Sequence, residues 1–251
     1  MFNFFVNGDS REGDRYVISG SDHNHIKNVL RMKIGENLLV SDSGASHLCV
    51  IEEYTEESAI VSIVEENYND TELPVRIYLF QGLPKGDKLE LIIQKAVELG
   101  VYEIIPVEMS RSVVKIEDKK RKSKQERWQA IAESAAKQSK RNIIPTVREA
   151  TSYKQAMELV KTLDVFAVPY ENKDGMKATA ECLEKIKGAR SVGILIGPEG
   201  GFDGREVDMA MESGGTVVSL GKRILRAETA AITAVSAVML YIEMNQGEET
   251  V

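Results

Sequence analysis

From Val75 onward, short apolar runs alternate with longer stretches whose apolar residues recur every three to four positions. The runs "VRIYLFQGL", "YEIIPVEM", "DVFAVPY", "SVGILIG" and "TVVSLG" predict strands. Between them, "DKLELIIQKAVEL", "KQERWQAIAESAAKQSKR", "SYKQAMELVKTL", "GREVDMAMESG" and the nearly all-apolar "ETAAITAVSAVMLYIEM" predict helices. Asp87 and Glu90 are spaced for a capping box at the start of the first helix, and Gly100 follows its end. In the second, Trp128, Ile131, Ala135 and Ala136 share a face. Strands alternating with helices imply a parallel sheet covered on both faces, an α/β fold.

The first 70 residues have a different rhythm. "NLLVSDSG", "SHLCVIEEY" and "SAIVSIVEE" predict short strands separated by polar turns, a small β-barrel-like domain. One helix interrupts them, "SDHNHIKNVLRM", with Ser21 or Asp22 as its cap. Its Ile26, Val29 and Leu30 should face inward and His25, Lys27 and Arg31 outward. "ENYNDTELP" is polar and ends in proline, so a linker falls there, dividing residues 1–72 from 73–251.

Composition changes this picture little. The chain has 251 residues and a net charge of −7. Cys49 and Cys182 are far apart, in no metal-ligand spacing, which suits a reduced cytoplasmic protein. No run approaches the ~20 uninterrupted apolar residues of a membrane span, and "MFNFFVNGDSREGD" meets acid too early for a signal peptide. The string "HNH" has no cysteine beside it and a single acidic neighbour, Asp22, too few ligands to make a metal site. Charge does matter locally. Residues 111–141 hold eleven Lys/Arg against four Asp/Glu, either a footprint for a polyanion or a solvated helix face.

In parallel sheets, ligands bind at the carboxyl ends of the strands. Three strands end in unusual loops there: "VPYENKDG", "IGPEGG" and "SLGKRILRAET". Gly197, Gly200 and Gly201 lack the dinucleotide spacing, and the chain has no Gly-Lys-Ser/Thr phosphate loop. Pro198 offers no N–H and Glu199 would repel a phosphate. A phosphate-free, cationic cofactor such as S-adenosylmethionine escapes both objections; a plain tight turn at a helix entry is the alternative. Ile224 and Leu225 are apolar residues in a charged loop, as in a pocket wall.

"IGPEGGFDGREV" followed by "VVSLGKRILRAETAAI" resembles the ribosomal RNA small subunit methyltransferase E family. "LPKGDKLELIIQKAVELGVYEIIPVEMSRSVVK", "RWQAIAESAAKQSKRNIIP" and "HIKNVLRMKIGENLLVSDSGA" extend the resemblance over nearly the whole chain. The resemblance implies a PUA-like RNA-binding domain, then a SPOUT-type parallel sheet with a C-terminal trefoil knot. It also implies a homodimer that uses S-adenosylmethionine to methylate N3 of one 16S rRNA uridine, with no metal and no membrane. Carried over residue by residue, it places Pro169, Ile196, Gly197, Pro198, Gly200, Gly201, Leu220, Gly221, Ile224 and Leu225 around the cofactor. Tyr170 and Glu171 would extend the Pro169 wall. Arg226, Glu199 and Glu228 fall around the target base, and His25, Arg31, Lys85, Arg111, Gln138 and Arg141 face RNA. Asn3 stands where many relatives carry a basic residue. Methylation at another RNA position (ribose 2′-O or guanine) and a non-catalytic assembly role are the competing functions.

Overall fold

The computed structural model describes residues 1–170 and 175–246. They form two compact units: Met1–Glu72 with Ala136–Ile144, and Leu73–Ala135 with Pro145–Val251. The border expected between residues 72 and 73 is therefore crossed once more, by a short segment that returns to the first unit.

In the first unit the strands are β1 (Asn3–Val6), β2 (Arg11–Glu12), β3 (Arg15–Ser19), β4 (Asn37–Asp42), β5 (Ala45–Tyr54) and β6 (Ser58–Glu65). They make one sheet in the order β1-β4-β5-β6-β3-β2, in which β1 runs parallel to β4 and every other pair is antiparallel. Two register shifts in β5 bend the sheet. It curls over a core that includes Phe4, Tyr16, Ile18, Leu38, Val40, Ile51 and Val61.

The helix of this unit departs from the expectation. It starts earlier, as α1 (Gly20–Asn24), with Ser19 at the cap position and no side-chain cap bond. It then widens into a π-turn over His25–Val29. A π-turn advances the helical phase by an extra residue. Ile26 stays buried and Leu30 packs on the core, while Val29 is left 63% exposed.

The polar stretch before Leu73 is a strap rather than a loose linker. The Glu72 carboxylate accepts from Arg141 Nε at 2.8 Å and from the backbone N–H groups of Asn142 and Ile143 at 2.8 and 3.3 Å. Thr71 donates to the Lys140 carbonyl at 3.0 Å, and Asn142 Nδ2 donates to the Asn69 carbonyl at 2.9 Å. Lys140 takes a left-handed conformation that turns the chain into this contact. Asn3 is buried and donates to the Arg141 carbonyl at 3.0 Å.

The second unit contains β7 (Arg76–Gly82), α2 (Lys88–Glu98), β8 (Val101–Glu108), α3 (Asp118–Ser139, whose last turn belongs to the first unit), β9 (Thr146–Val147), β10 (Thr151–Ser152) and α4 (Tyr153–Val160). It continues through β11 (Val165–Pro169), α5 (Lys177–Glu184), β12 (Ser191–Ile196), α6 (Gly204–Glu212), β13 (Thr216–Val218) and α7 (Ala227–Asn245). All its strand pairs are parallel, in the order β10-β8-β7-β12-β11-β13 with β9 on β8. Tyr153 and Met157 of α4 and Val207 and Ala210 of α6 pack with Phe80, Phe166 and Leu195 in one core. On α7, Ala231, Ala234, Val235, Val238 and Ile242 are buried, and the helix packs on α2, β7 and β12. By length and composition α7 could cross a bilayer; those sheet contacts explain its apolarity without one.

The capping box expected at Asp87 and Glu90 does not form. Arg127 binds the Glu90 carboxylate at 2.8 Å and draws it away from the helix start. Boxes form instead at Ser152/Gln155 on α4 and Asp203/Glu206 on α6. α5 was not anticipated from the pattern of residues, and α3 begins a turn and a half before the stretch that predicted it.

Two measurements probe this framework. Breaking a buried ion pair costs on the order of 3 kcal/mol, so Arg141→Ala should lower the denaturant midpoint of unfolding correspondingly. At the end of β7, a Cβ on Gly82 would lie 2.6 Å from Met109 Sδ and 2.7 Å from both Cδ and N of Pro198. Gly82→Ala should therefore cost roughly 2 kcal/mol through overpacking, and an unchanged melting curve would show that Pro198 can step aside.

Candidate active site

The parallel pairing of β11 with both β12 and β13 brings their carboxyl ends to one edge. The three loops leaving that edge, together with the starts of α2 and α7, enclose a cavity of about 720 Å³. Its wall includes Pro169, Ile196, Gly197, Pro198, Glu199, Gly201, Leu220, Gly221, Ile224, Leu225 and Arg226. The residues expected around a cofactor thus converge, apart from Gly200. Glu171 lies outside the described residues.

Gly200 has a different task. A Cβ there would meet Arg111 Cβ at 2.9 Å and the Arg111 carbonyl at 3.0 Å. Arg111 Nη1 in turn donates to the Gly200 carbonyl at 3.2 Å. The turn itself closes through the Gly201 N–H, which donates to the Pro198 carbonyl at 2.8 Å, with Gly201 at φ +68. That left-handed backbone favours glycine. Asp203 and Glu206 then cap α6, and Glu206 also accepts from the Ser110 N–H at 2.7 Å.

The opposite wall is held by Thr179 of α5. Its hydroxyl donates to the Ser219 carbonyl at 2.8 Å and accepts from the Ser219 N–H at 2.9 Å. Leu220 follows directly, and Gly221 turns the chain at φ +106. Leu225 is half-buried, whereas Ile224 stands 95% exposed at the mouth. Ile224 was expected as a wall; as a rim residue it has protein on one side only. Among the described residues, the backbone N–H groups of Leu220 and Lys222 to Leu225 donate to no protein acceptor. Apolar walls beside free backbone donors suit a flat heterocycle with ring nitrogens.

The charged groups are unevenly engaged. Both Glu199 oxygens accept from the Lys85 N–H, at 3.1 and 3.3 Å, and Oε1 also accepts from Lys88 Nζ at 2.8 Å. Burial pushes the Glu199 carboxyl up, but the bonds from Lys88 and from backbone N–H groups outweigh it and hold it below the usual carboxylate range. The same bond raises the Lys88 ammonium. Both are ionised at neutral pH. Glu228 lies in the first turn of α7, where the helix dipole favours a carboxylate. Its Oε2 is buried without a hydrogen-bond partner, 3.7 Å from Lys88 Nζ. Arg226 is exposed at the cap position of α7, and no ion pair joins it to Glu228. It forms no ion pair among the described residues, so its guanidinium is available to a ligand.

The residues expected to face RNA divide between the units. In the second, Lys85 and Arg111 are exposed. In the first, Arg31 and Gln138 are exposed, and His25 is half-buried with its ring edge-on to Phe4 at 6.0 Å. Arg141 does not face RNA through its guanidinium. That group is 3% exposed and is held by Glu72. The basic stretch is also less free than its composition implied, since Arg121, Arg127 and Lys137 are paired with Glu108, Glu90 and Asp22. Lys115 and Lys122 are exposed and form no ion pair among the described residues.

Sequence reading missed Lys88, Phe202, Ser219, Lys222, Arg223, Ala227 and Ala230, all on the cavity wall. Lys88 was detectable in principle, because β7 is parallel to β12 and its following helix starts at the same edge. Ala227 and Ala230, three apart on an apolar helix, read as ordinary core.

A family model described as an RNA methyltransferase domain matches residues 71–239, and one described as an RNA methyltransferase PUA domain matches residues 18–64. The ribosomal RNA small subunit methyltransferase E of Bacillus subtilis is 38% identical, over 95% of this chain and 94% of that protein. The Neisseria gonorrhoeae ribosomal RNA small subunit methyltransferase E, solved bound to S-adenosylmethionine, superposes with a TM-score of 0.81 at 31% identity, over 94% of this chain and 96% of that one. A Legionella pneumophila methyltransferase, solved in complex with the same cofactor, gives a TM-score of 0.76 at 31% identity, covering 95% and 97% of the two chains. With similarity along nearly its whole length, the chain belongs to the ribosomal RNA small subunit methyltransferase E family of S-adenosylmethionine-dependent rRNA methyltransferases.

Proposed function

We propose that this enzyme methylates N3 of one uridine in the 16S rRNA of the small ribosomal subunit. The observation that carries the reading is a free arginine, Arg226, on the wall of a cavity whose other walls suit an adenine-bearing cofactor. Support for the substrate comes from the relatives' names and from the PUA-type domain match.

Ile196, Leu220 and Leu225 would hold the adenine, with the free backbone groups of the Leu220–Leu225 loop reading its edge. When bound, S-adenosylmethionine supplies an electrophilic methyl group on a sulfonium. The chain must do the rest. Uracil N3 loses its proton as it gains the methyl, and negative charge spreads onto O2 and O4. Arg226 is suited to stabilise that charge. Glu199 is a weak base, being fully hydrogen-bonded and held ionised. Glu228 Oε2 is buried 3.7 Å from the Lys88 ammonium and is no better placed to accept it, so the N3 proton passes to solvent.

RNA would be gripped through Lys85 and Arg111 on the second unit and His25, Arg31 and Gln138 on the first. The same reading includes a C-terminal trefoil knot, cytoplasmic location and a homodimer. In favour of the dimer, Thr233, Leu240 and Met244 form an uncharged exposed stripe on α7.

Methyl transfer to small ribosomal subunits from a strain lacking this activity should yield N3-methyluridine on mass-spectrometric mapping. A methyl on a ribose or a guanine would replace this target with another, and no transfer together with no cofactor heat in calorimetry would point to a non-catalytic factor. Arg226→Ala should lower kcat by roughly 10²-fold, as for loss of one charge-stabilising donor, with cofactor affinity little changed. Equal losses in both would make Arg226 a structural residue. RNA affinity should fall steeply with added salt; a flat response would remove the basic residues from the interface.

A further inference from the structure

Lys88 is among the charged residues on the cavity wall that have no role in the reaction as written. It is the first residue of α2. Its ammonium carries three donors and meets two carboxylates from elsewhere in the fold. It bonds Glu199 Oε1 at 2.8 Å, and Glu228 Oε2 lies 3.7 Å away, beyond hydrogen-bond reach. The Glu228 oxygen is buried and has no other hydrogen-bond partner. A buried carboxylate oxygen without a donor is unfavourable, and a shift of about an ångström in a flexible lysine would satisfy it.

Two residues of the cavity wall and a third just behind it therefore meet at one nitrogen. Glu199 belongs to the turn after β12, Glu228 to the first turn of α7 next to Arg226, and Lys88 to the start of α2. Lys85, just before α2, adds its backbone N–H to the Glu199 carboxylate. An isolated exposed ion pair contributes little. A lysine between two carboxylates, one of them also tied to the backbone, is a network that holds loops in place.

We propose that Lys88 is a positioning residue, bridging Glu199 and Glu228 so that the Gly197–Gly201 turn is held in its cofactor-binding shape. This rests on the reading of the cavity as the S-adenosylmethionine pocket. Lys88 acts through Glu199 and takes no part in the proton or methyl step.

The test uses the full-length enzyme, S-adenosylmethionine calorimetry and methyl transfer to small subunits. Lys88→Met should weaken cofactor binding and raise its KM by about tenfold, the worth of one charge-assisted hydrogen bond, with kcat at saturating cofactor within about threefold. Glu199→Gln should weaken binding similarly, and the double variant no further than either alone. Lys88→Arg should restore most of the affinity. Unchanged cofactor affinity in Lys88→Met, or additive losses in the double variant, would overturn the bridge. A collapse of kcat at unchanged KM would place Lys88 in the chemistry and equally overturn a positioning role. If Lys88→Met fails to fold, as judged by its thermal melt, Glu199→Gln and Lys88→Arg decide the matter: wild-type affinity in Glu199→Gln refutes the bridge. Wild-type enzyme that binds no S-adenosylmethionine would instead refute the cavity reading on which the proposal stands.

Discussion

The site depends on the parallel pairing of β12 with β7 on one side and β11 on the other. Because β11 also pairs β13, the carboxyl ends of these strands open on a single edge. Loops some fifty residues apart then share one cavity without any long-range covalent link. A parallel sheet must be covered on both faces, and here α4 and α6 cover one while α7 packs onto β7 and β12 beside α2. The two helices that supply Lys88 and Glu228 to the cavity edge, α2 and α7, pack on each other. The rigid framework and the charged cluster have the same origin.

Within that edge, close backbone approach decides which residues are small. Gly82 allows Pro198 to pass the end of β7, Gly200 allows Arg111 to rest on the turn, and Gly201 supplies a left-handed backbone. These three glycines serve packing and turn geometry, whereas a phosphate cradle uses glycines to aim N–H groups. Proline and glutamate are tolerated in such a turn for the same reason. Pro198 removes a donor that no phosphate needs, and Glu199 spends its charge on Lys88 and the Lys85 N–H rather than on a ligand.

Electrostatics is organised by pairing more than by composition. Much of the basic segment is neutralised within its own unit: Arg121 on Glu108, Arg127 on Glu90, Lys137 on Asp22 and Arg141 on Glu72. What remains for a polyanion is a smaller exposed set, including Arg111, Lys115 and Lys122. Around the cavity the situation is reversed, since Lys222, Arg223 and Arg226 reach the wall with no ion partner among the described residues.

By itself the sequence determined the alternation of strand and helix, the edge on which the loops open, and the two loop segments that meet there. Those features are written in local periodicity, glycine placement and a family-specific pattern. The tertiary structure alone decided who pairs with whom. It buried Arg141 on Glu72, diverted Glu90 from its cap to Arg127, widened α1 into a π-turn that exposes Val29, and set Lys88 between Glu199 and Glu228. A salt bridge here joins residues more than a hundred positions apart and leaves no period in the chain. Its partners are selected by the geometry of the packed strands and helices, so charge along a sequence states which groups are available and the fold states which are free.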